Sequence, residues 1–253
     1  MKKDRLKKLA REKEFIPGIY NYCDRWCERC PQTSHCLNFA MSEEEFADPE
    51  ARDIQNEAFW NRLSEVFQDT IDLLKEAAQE HGIDFDALDT SGQTEEESRL
   101  EEEMAKSHSV CRAAKIYVNM AEDWFKSEPR VYTVSPTLDH GGMGLEEALG
   151  VIRWYQHFIY VKLMRAVRGG LEEKEEGLDE YARDSDGSAK IALIGIDRSI
   201  GAWGVVRAHA PLVDEKIFHL IAHLDHLRED VEKTFPEARG FIRPGFDSSG
   251  LKS

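Results

Sequence analysis

The sequence predicts an all-α protein, a bundle of about five long helices preceded by a cysteine-rich metal knuckle. Two observations favour this fold class. Apolar residues recur at helical spacing through most of the chain, and no segment shows the apolar–polar alternation of a β-strand. Capping residues, glycines and prolines bound the five expected helices. These helices span about residues 42–81, 94–127, 145–167, 189–209 and 213–235.

The first helix is expected to begin at Ser42, a capping residue, and to end before Gly82. The pair Asp48-Pro49 is expected to interrupt its first turns. One face of this helix is apolar and is therefore predicted to point inward. That face consists of Leu63, Phe67, Ile71, Leu74 and Ala78.

The four later helices differ in the apolar surface they offer. The second is acidic in its first half, and the third is rich in aromatic residues. The fourth is apolar on most of its circumference and is predicted to lie centrally. The fifth carries one buried stripe, predicted at Ile217, Leu220, Ile221, Leu224, Leu227 and Val231. We divide the chain into the knuckle segment (1–41), the bundle (42–235) and an irregular C-terminal tail (236–253).

Four of the five cysteines lie close together, as Cys23, Cys27, Cys30 and Cys36. Thiolates spaced this closely repel one another unless a cation or a disulfide holds them. Cys27-x2-Cys30 is a usual zinc pair that Cys23 and Cys36 would complete, and His35 is an alternative fourth ligand. The same spacing also suits a [4Fe–4S] cluster. The cofactor expected is zinc or a [4Fe–4S] cluster, with zinc slightly favoured because it is commoner.

The fifth cysteine stands apart from this group. Cys111 is in line with Leu100, Met104, Val118 and Phe125 at helical spacing. A cysteine in such a stripe is predicted to be a small buried apolar residue.

A polar lane on the fifth helix is a candidate for a second metal site. Its histidines, His219, His223 and His226, recur at steps of four and three between Glu215 and Asp230. Histidines one turn apart can chelate a transition metal. The alternative is a partly solvated polar face on the flank of the helix.

Weak candidates for catalysis are Arg153 and His157 on the third helix and Asp197 on the fourth. An acid in a mostly apolar helix needs a partner, and a pocket lined by these three side chains is one way to satisfy it. The alternative is a buried ion pair between Asp197 and either Arg153 or Lys190.

Charge and hydropathy bound the setting and the partners. The chain has 49 acidic and 33 basic side chains, a formal charge of −16, which disfavours binding to nucleic acid or to an anionic membrane. It contains no apolar run of about 18 residues and no hydrophobic core of a signal peptide, so we expect a cytoplasmic protein. The oligomeric state is left open.

These observations predict a cytoplasmic helical metal-binding protein. In the leading hypothesis the tetracysteine site is structural, and the chain acts as an interaction or scaffold protein with a protein partner. In the alternative hypothesis the chain is an iron–sulfur redox or electron-transfer enzyme with a second site inside the bundle.

Overall fold

The computed structural model describes residues 8–9, 12–83, 95–128, 143–176, 184–209 and 214–247. In these residues every regular element is helical and there is no β-strand, as predicted. The chain divides into two compact units, Met1–Thr94 with Arg243–Ser253 and Glu95–Ile242. We call them the knuckle unit and the bundle unit. The division predicted at residues 41 and 235 stays a prediction.

Between residues 12 and 83 the knuckle unit holds three α-helices, α1 (Leu37–Glu45), α2 (Pro49–Arg52) and α3 (Glu57–Glu80). The single helix predicted over 42–81 is therefore wrong, whereas the interruption expected at Asp48-Pro49 is confirmed. It is broken twice because Asp48 and Asn56 each cap a new helix, accepting the amide hydrogens of Glu50 and Ala58 at 3.0 Å. Pro49, at the first position of α2, suits a helix start since it has no amide hydrogen to leave unpaired.

The inward stripe predicted on α3 is also wrong, because no residue of this helix is buried. Phe67, Ile71 and Leu74 are 61, 42 and 52% exposed. The apolar period predicts which side chains share a face, but it does not provide a second element to cover that face.

Few side chains are buried in the part of the knuckle unit that the structure describes. Among its described residues the buried ones are Leu9, Ile19, Ala51 and Glu45. Glu45 is held by an ion pair with Arg62, which links α1 to α3. The described residues of this unit therefore form no apolar core of the usual size.

The α-helices in the described residues of the bundle unit are α4 (Glu95–Ser107), α5 (Ser109–Ser127), α6 (Leu145–Glu176), α7 (Asp184–His209) and α8 (Asp214–Thr234). The prediction of one helix over 94–127 is wrong because His108 opens a new helix. Its ring Nδ1 accepts the amide hydrogen of Val110 at 3.4 Å. The helix α6 runs past its predicted end because residues 171–176 are rich in Glu and Lys, which favour helix.

The core of the bundle unit centres on α7, which packs against α6, α8 and the turn Ala238–Gly240. Gly195 lets α6 and α7 approach closely, since a Cβ atom there would lie 3.0 Å from Tyr155 Cδ1. Buried Trp203 donates a hydrogen bond to the Tyr117 hydroxyl at 3.1 Å. In α8 the predicted stripe is buried at Ile217, Leu220, Leu224, Leu227 and Val231.

In the part of the chain that the structure describes, no helix combines the length and the apolar character needed to span a bilayer.

Candidate metal centre

The cysteine segment folds as short 3-10 turns joined by extended residues. The turns are Ile19–Tyr22, Cys27–Arg29 and Thr33–His35. Cys23, Cys30 and Cys36 each follow directly on a turn and have extended backbone, whereas Cys27 opens the second turn. This repeated change of direction folds the segment back on itself.

The spacer between the first two cysteines contains a backbone outlier. Arg25 has φ of 59°, the one positive φ at a residue other than glycine among the described residues. This conformation costs about 1–2 kcal/mol. The Asp24 carboxylate accepts the Trp26 amide hydrogen at 3.2 Å and supports the tight loop between Cys23 and Cys27. Backbone strain of this kind is concentrated at functional sites.

The side chains of Cys23, Cys27, Cys30 and Cys36 line one pocket. The pocket is narrow and partly open to solvent. The remaining lining residues include a set of large apolar and aromatic side chains, Ile19, Tyr20, Trp26, Phe39 and Phe246. Four soft ligand atoms thus share a small space with an apolar wall.

Hydrogen bonds hold two of the sulfur atoms. The backbone amide of Gln32 donates a hydrogen bond to Cys30 Sγ at 3.4 Å, and Cys23 Sγ donates one to the Tyr20 carbonyl at 3.5 Å. Bonds from backbone amides to sulfur stabilise negative charge on it and are a usual means of tuning thiolate ligands.

Negative charge on the neighbouring cysteines disfavours ionisation of the Cys27 thiol. Burial raises the pKa of the Cys27 thiol, and the charges of Cys23, Cys30, Cys36 and then Glu28 raise it further. Without a cation the neutral thiol is therefore favoured at Cys27. A bound metal would reverse this preference, because it coordinates the thiolate and displaces the proton.

The thiols share a pocket without forming a ready site for a single ion. Across the described ranges, no group of three or more His, Cys, Asp or Glu side chains is arranged to hold a metal ion. His35, the alternative fourth ligand, does not line the pocket. Its ring is exposed and pairs through Nδ1 with the Glu14 carbonyl at 3.0 Å.

The histidine lane of α8 is occupied by other contacts. His223 pairs through Nε2 with the Ala113 carbonyl at 2.8 Å, and His226 through Nδ1 with the Ala222 carbonyl at 2.7 Å. His219 is exposed and lies edge-on to Phe218. These contacts match the partly solvated flank that the sequence offers as the alternative, and a second metal site there stays a prediction.

The three candidate catalytic residues contact different partners. Asp197 is 40% exposed and accepts a hydrogen bond from Arg239 at 2.7 Å. The predicted burial of Asp197 beside Arg153 or Lys190 is wrong, because the turn Ala238–Gly240 brings Arg239 to it instead. Lys190 donates to the Phe241 carbonyl.

Arg153 and His157 lie elsewhere on α6. The Arg153 guanidinium is 4.9 Å from the centre of the Phe125 ring. The His157 ring has Nε2 at 3.6 Å from a carboxylate oxygen of Glu122. A catalytic role for these residues stays a prediction.

The fifth cysteine is fully buried in α5, as predicted. Burial raises the pKa of the Cys111 thiol to about 12. A neutral, inaccessible thiol is neither a nucleophile nor a metal ligand at neutral pH.

Residues far along the chain also contribute to the cysteine pocket, and the sequence did not indicate them. Phe246 forms part of its wall, and Gln32 donates to the Gly245 carbonyl at 2.8 Å. The only local signal is Pro244-Gly245, a pair typical of turns. A turn signal does not reveal which distant segment the turn will contact.

No protein-family model matches the chain, and neither a curated protein nor a solved structure shows significant similarity to it.

Proposed function

We propose that the chain is an iron–sulfur protein in which Cys23, Cys27, Cys30 and Cys36 hold a [4Fe–4S] cluster. The observation that carries this proposal is that all four side chains line the same apolar pocket. Four cysteine thiolates are the usual ligand set of such a cluster.

The choice of a cluster over a single zinc ion depends on the arrangement of the sulfur atoms. Zinc binds each sulfur at about 2.3 Å, which draws four thiolates into a tight tetrahedron around one point. A [4Fe–4S] core is larger and keeps its four ligands apart. The four cysteines lie within 14 residues of the sequence and line one pocket, which suits a cluster at least as well as zinc. We propose the cluster on that ground, and metal analysis decides between the two.

The scarcity of buried side chains in the knuckle unit supports a metal of either kind. Its described residues bury only Leu9, Ile19, Ala51 and Glu45. Small units that cannot bury enough apolar surface are often stabilised by a structural metal. Binding free energy at such a site is also folding free energy.

A cluster held by four thiolates would supply one-electron transfer when bound. The surrounding residues suit that role because the pocket is partly open and the four cysteines are neither fully buried nor fully exposed. Partial exposure gives a redox partner access to the cluster. The hydrogen bond from the Gln32 backbone amide to Cys30 Sγ favours a negatively charged sulfur.

A structural zinc knuckle is the second candidate, and one contact favours it. The Gln32 side chain in the cysteine segment donates a hydrogen bond to the Gly245 carbonyl at 2.8 Å. The site therefore joins segments that are distant in sequence. Zinc is redox-inactive, and at this site it would only hold these segments together. In that case the chain would act as an interaction or scaffold protein.

The setting and the partner complete the proposal. We place the protein in the cytoplasm because free, clustered cysteines persist in a reducing compartment. A protein partner is preferred to nucleic acid because the formal charge of −16 repels phosphate.

Metal analysis of protein purified without oxygen tests the proposal. We expect about four irons and four sulfides per chain and a broad absorption band at about 400 nm. One zinc in a colourless sample would replace the cluster with the structural knuckle. If protein isolated from iron- and zinc-supplemented cells contained neither metal, both candidates would be contradicted.

A matched pair of cysteine variants assigns the ligands. Cys30→Ala should lose the iron and the absorption band, since it removes one of the four sulfurs of the pocket. Cys111→Ala should keep both, because that thiol is buried in α5 of the bundle unit. Equal iron content in the two variants would refute the assignment of Cys30.

A further inference from the structure

The C-terminal segment Arg243–Asp247 belongs to the same unit as the cysteines. Phe246 lines the cysteine pocket, although it is more than 200 residues from Cys36. The neighbouring Gly245 accepts a hydrogen bond from the Gln32 side chain at 2.8 Å. Two consecutive residues of the segment therefore contact the candidate metal centre.

Gly245 is pressed directly against the pocket wall. Its φ is +76°, and a Cβ atom there would lie 2.7 Å from Ile19 Cδ1 and 3.0 Å from Ile16 Cδ1. Ile19 is itself buried and lines the pocket. Only glycine combines this backbone conformation with this close an approach.

The segment is also held in shape by its own contacts. The Arg243 guanidinium donates two hydrogen bonds of 2.8 Å to the Asp247 carboxylate, and its Cζ is 4.9 Å from the centre of the Phe246 ring. Asp247 also accepts the Arg243 amide hydrogen at 3.1 Å. Bidentate arginine–carboxylate pairs give geometric specificity, so Phe246 is presented by a preformed turn.

We infer that Arg243–Asp247 is a strap that closes one side of the tetracysteine pocket and controls access of small molecules to the metal. This inference rests on the proposed function, because it describes the regulation of the same site. Phe246 and Gly245 act as positioning residues and offer no ligand atom from a side chain. Phe246 lines the pocket, and Gly245 packs against the lining residue Ile19. Apolar residues around a metal site control solvent access and the local dielectric, and with them the redox potential.

The rate at which iron is lost to a ferrous-iron chelator, measured without oxygen, tests the strap. Phe246→Ala should start with the same iron content as the unchanged protein and release its iron about tenfold faster, the range typical of residues that support metal ligands. Phe246→Leu, which refills the wall, should restore most of the slow release. The matched control is Phe218→Ala, since Phe218 is 53% exposed and lies on α8 of the bundle unit.

A redox readout separates a wall from a merely stabilising residue. Opening the pocket lets water stabilise the more negative reduced cluster, so the potential found by dithionite titration should rise in Phe246→Ala. Gln32→Ala, which removes one bond to the strap, should show smaller changes in the same directions and is the second variant if Phe246→Ala does not fold. Release rates and potentials equal to those of the unchanged protein would overturn the strap.

Failure of the proposed function would look different. If the unchanged protein contained zinc, the same release test would be run with a zinc chelator. If it contained neither metal, the strap would be tested by labelling the thiols of the chain with a maleimide. Labelling that is faster in Phe246→Ala than in Phe218→Ala supports the strap, and equal rates overturn it.

Discussion

The two units of this chain are stabilised in different ways. In the bundle unit, large side chains from α5, α6, α7 and α8 are fully buried, among them Trp203, Tyr117, Tyr155 and Leu193. In the knuckle unit, the long helix α3 buries no residue, and Ile19 is the largest fully buried side chain in its described part. The described part of the bundle unit has an apolar core, which drives folding, and the described part of the knuckle unit does not.

Under the proposed function, the tetracysteine pocket would be a stabilising element as well as a chemical site. Burial and the neighbouring cysteines raise the pKa of the Cys27 thiol, so the thiolate there is unfavourable until a cation binds it. A bound metal would then fix the 3-10 turns in a unit whose described residues bury few side chains. The contrast between the units is therefore itself a source of predictions.

Removal of the metal should have the largest effect, and it should fall on the knuckle unit. We expect the metal-free chain to lose amide protection in residues 19–36, because metal binding at structural sites contributes about 10 kcal/mol or more to folding. Protection in α5, α6 and α7 should stay unchanged, since their stability comes from apolar burial. Hydrogen exchange with mass spectrometry measures both regions in one sample. Equal protection of residues 19–36 with and without metal would show that the knuckle folds unaided.

A pair of leucine substitutions compares the helices directly. Leu193→Ala should destabilise the bundle unit by about 2–5 kcal/mol, because Leu193 is fully buried and its removal leaves a cavity. Leu74→Ala on α3 should cost about 0.5 kcal/mol or less, since that side chain is 52% exposed. Urea unfolding followed by circular dichroism gives both values. A cost at Leu74 as large as at Leu193 would mean that the face of α3 is covered in solution.

Alkaline pH should weaken the bundle unit through Cys111. Burial raises the pKa of this thiol from 9.0 to about 12 in the folded state, so the unfolded chain releases the proton first as the pH rises. The contribution to stability is complete below about pH 9 and is lost between about pH 9 and pH 12. Burial also raises the pKa of Tyr117 to about 12, which adds a loss above about pH 10.

Cys111→Ala removes the thiol part of this dependence. We expect its urea midpoint to fall less than that of the unchanged protein between about pH 7 and about pH 10. In the unfolded state Cys111 ionises in this range, whereas Tyr117 ionises mainly at higher pH. The same decline in both proteins would contradict a raised pKa at Cys111.

The sequence predicted the helices better than their surroundings. On α8 the apolar period identified Ile217, Leu220 and Leu224 as buried, and they are. The same kind of pattern was misleading on α3, where Phe67 and Leu74 are exposed. Periodicity is a local property of one helix, whereas burial requires a second element that the period does not describe.

The candidate site shows the same limit. The close spacing of Cys23, Cys27, Cys30 and Cys36 is local information and indicates a shared site. The contribution of Gly245 and Phe246 is not local, because it depends on how a segment without periodicity returns to the pocket. Asp197 pairs with Arg239 for the same reason, through a turn whose position the helical pattern does not predict.

The Asp197–Arg239 pair is expected to contribute little to stability. Both side chains are about two-fifths exposed, so solvent screens their attraction. We expect a coupling energy of about 1 kcal/mol or less from a double-mutant cycle with Asp197→Asn and Arg239→Gln, and it should shrink at high salt. A salt-independent coupling well above that value would mean that the pair is shielded from water. The bundle unit would then combine an apolar core with a protected ion pair, and Asp197 would return as a candidate for a polar site.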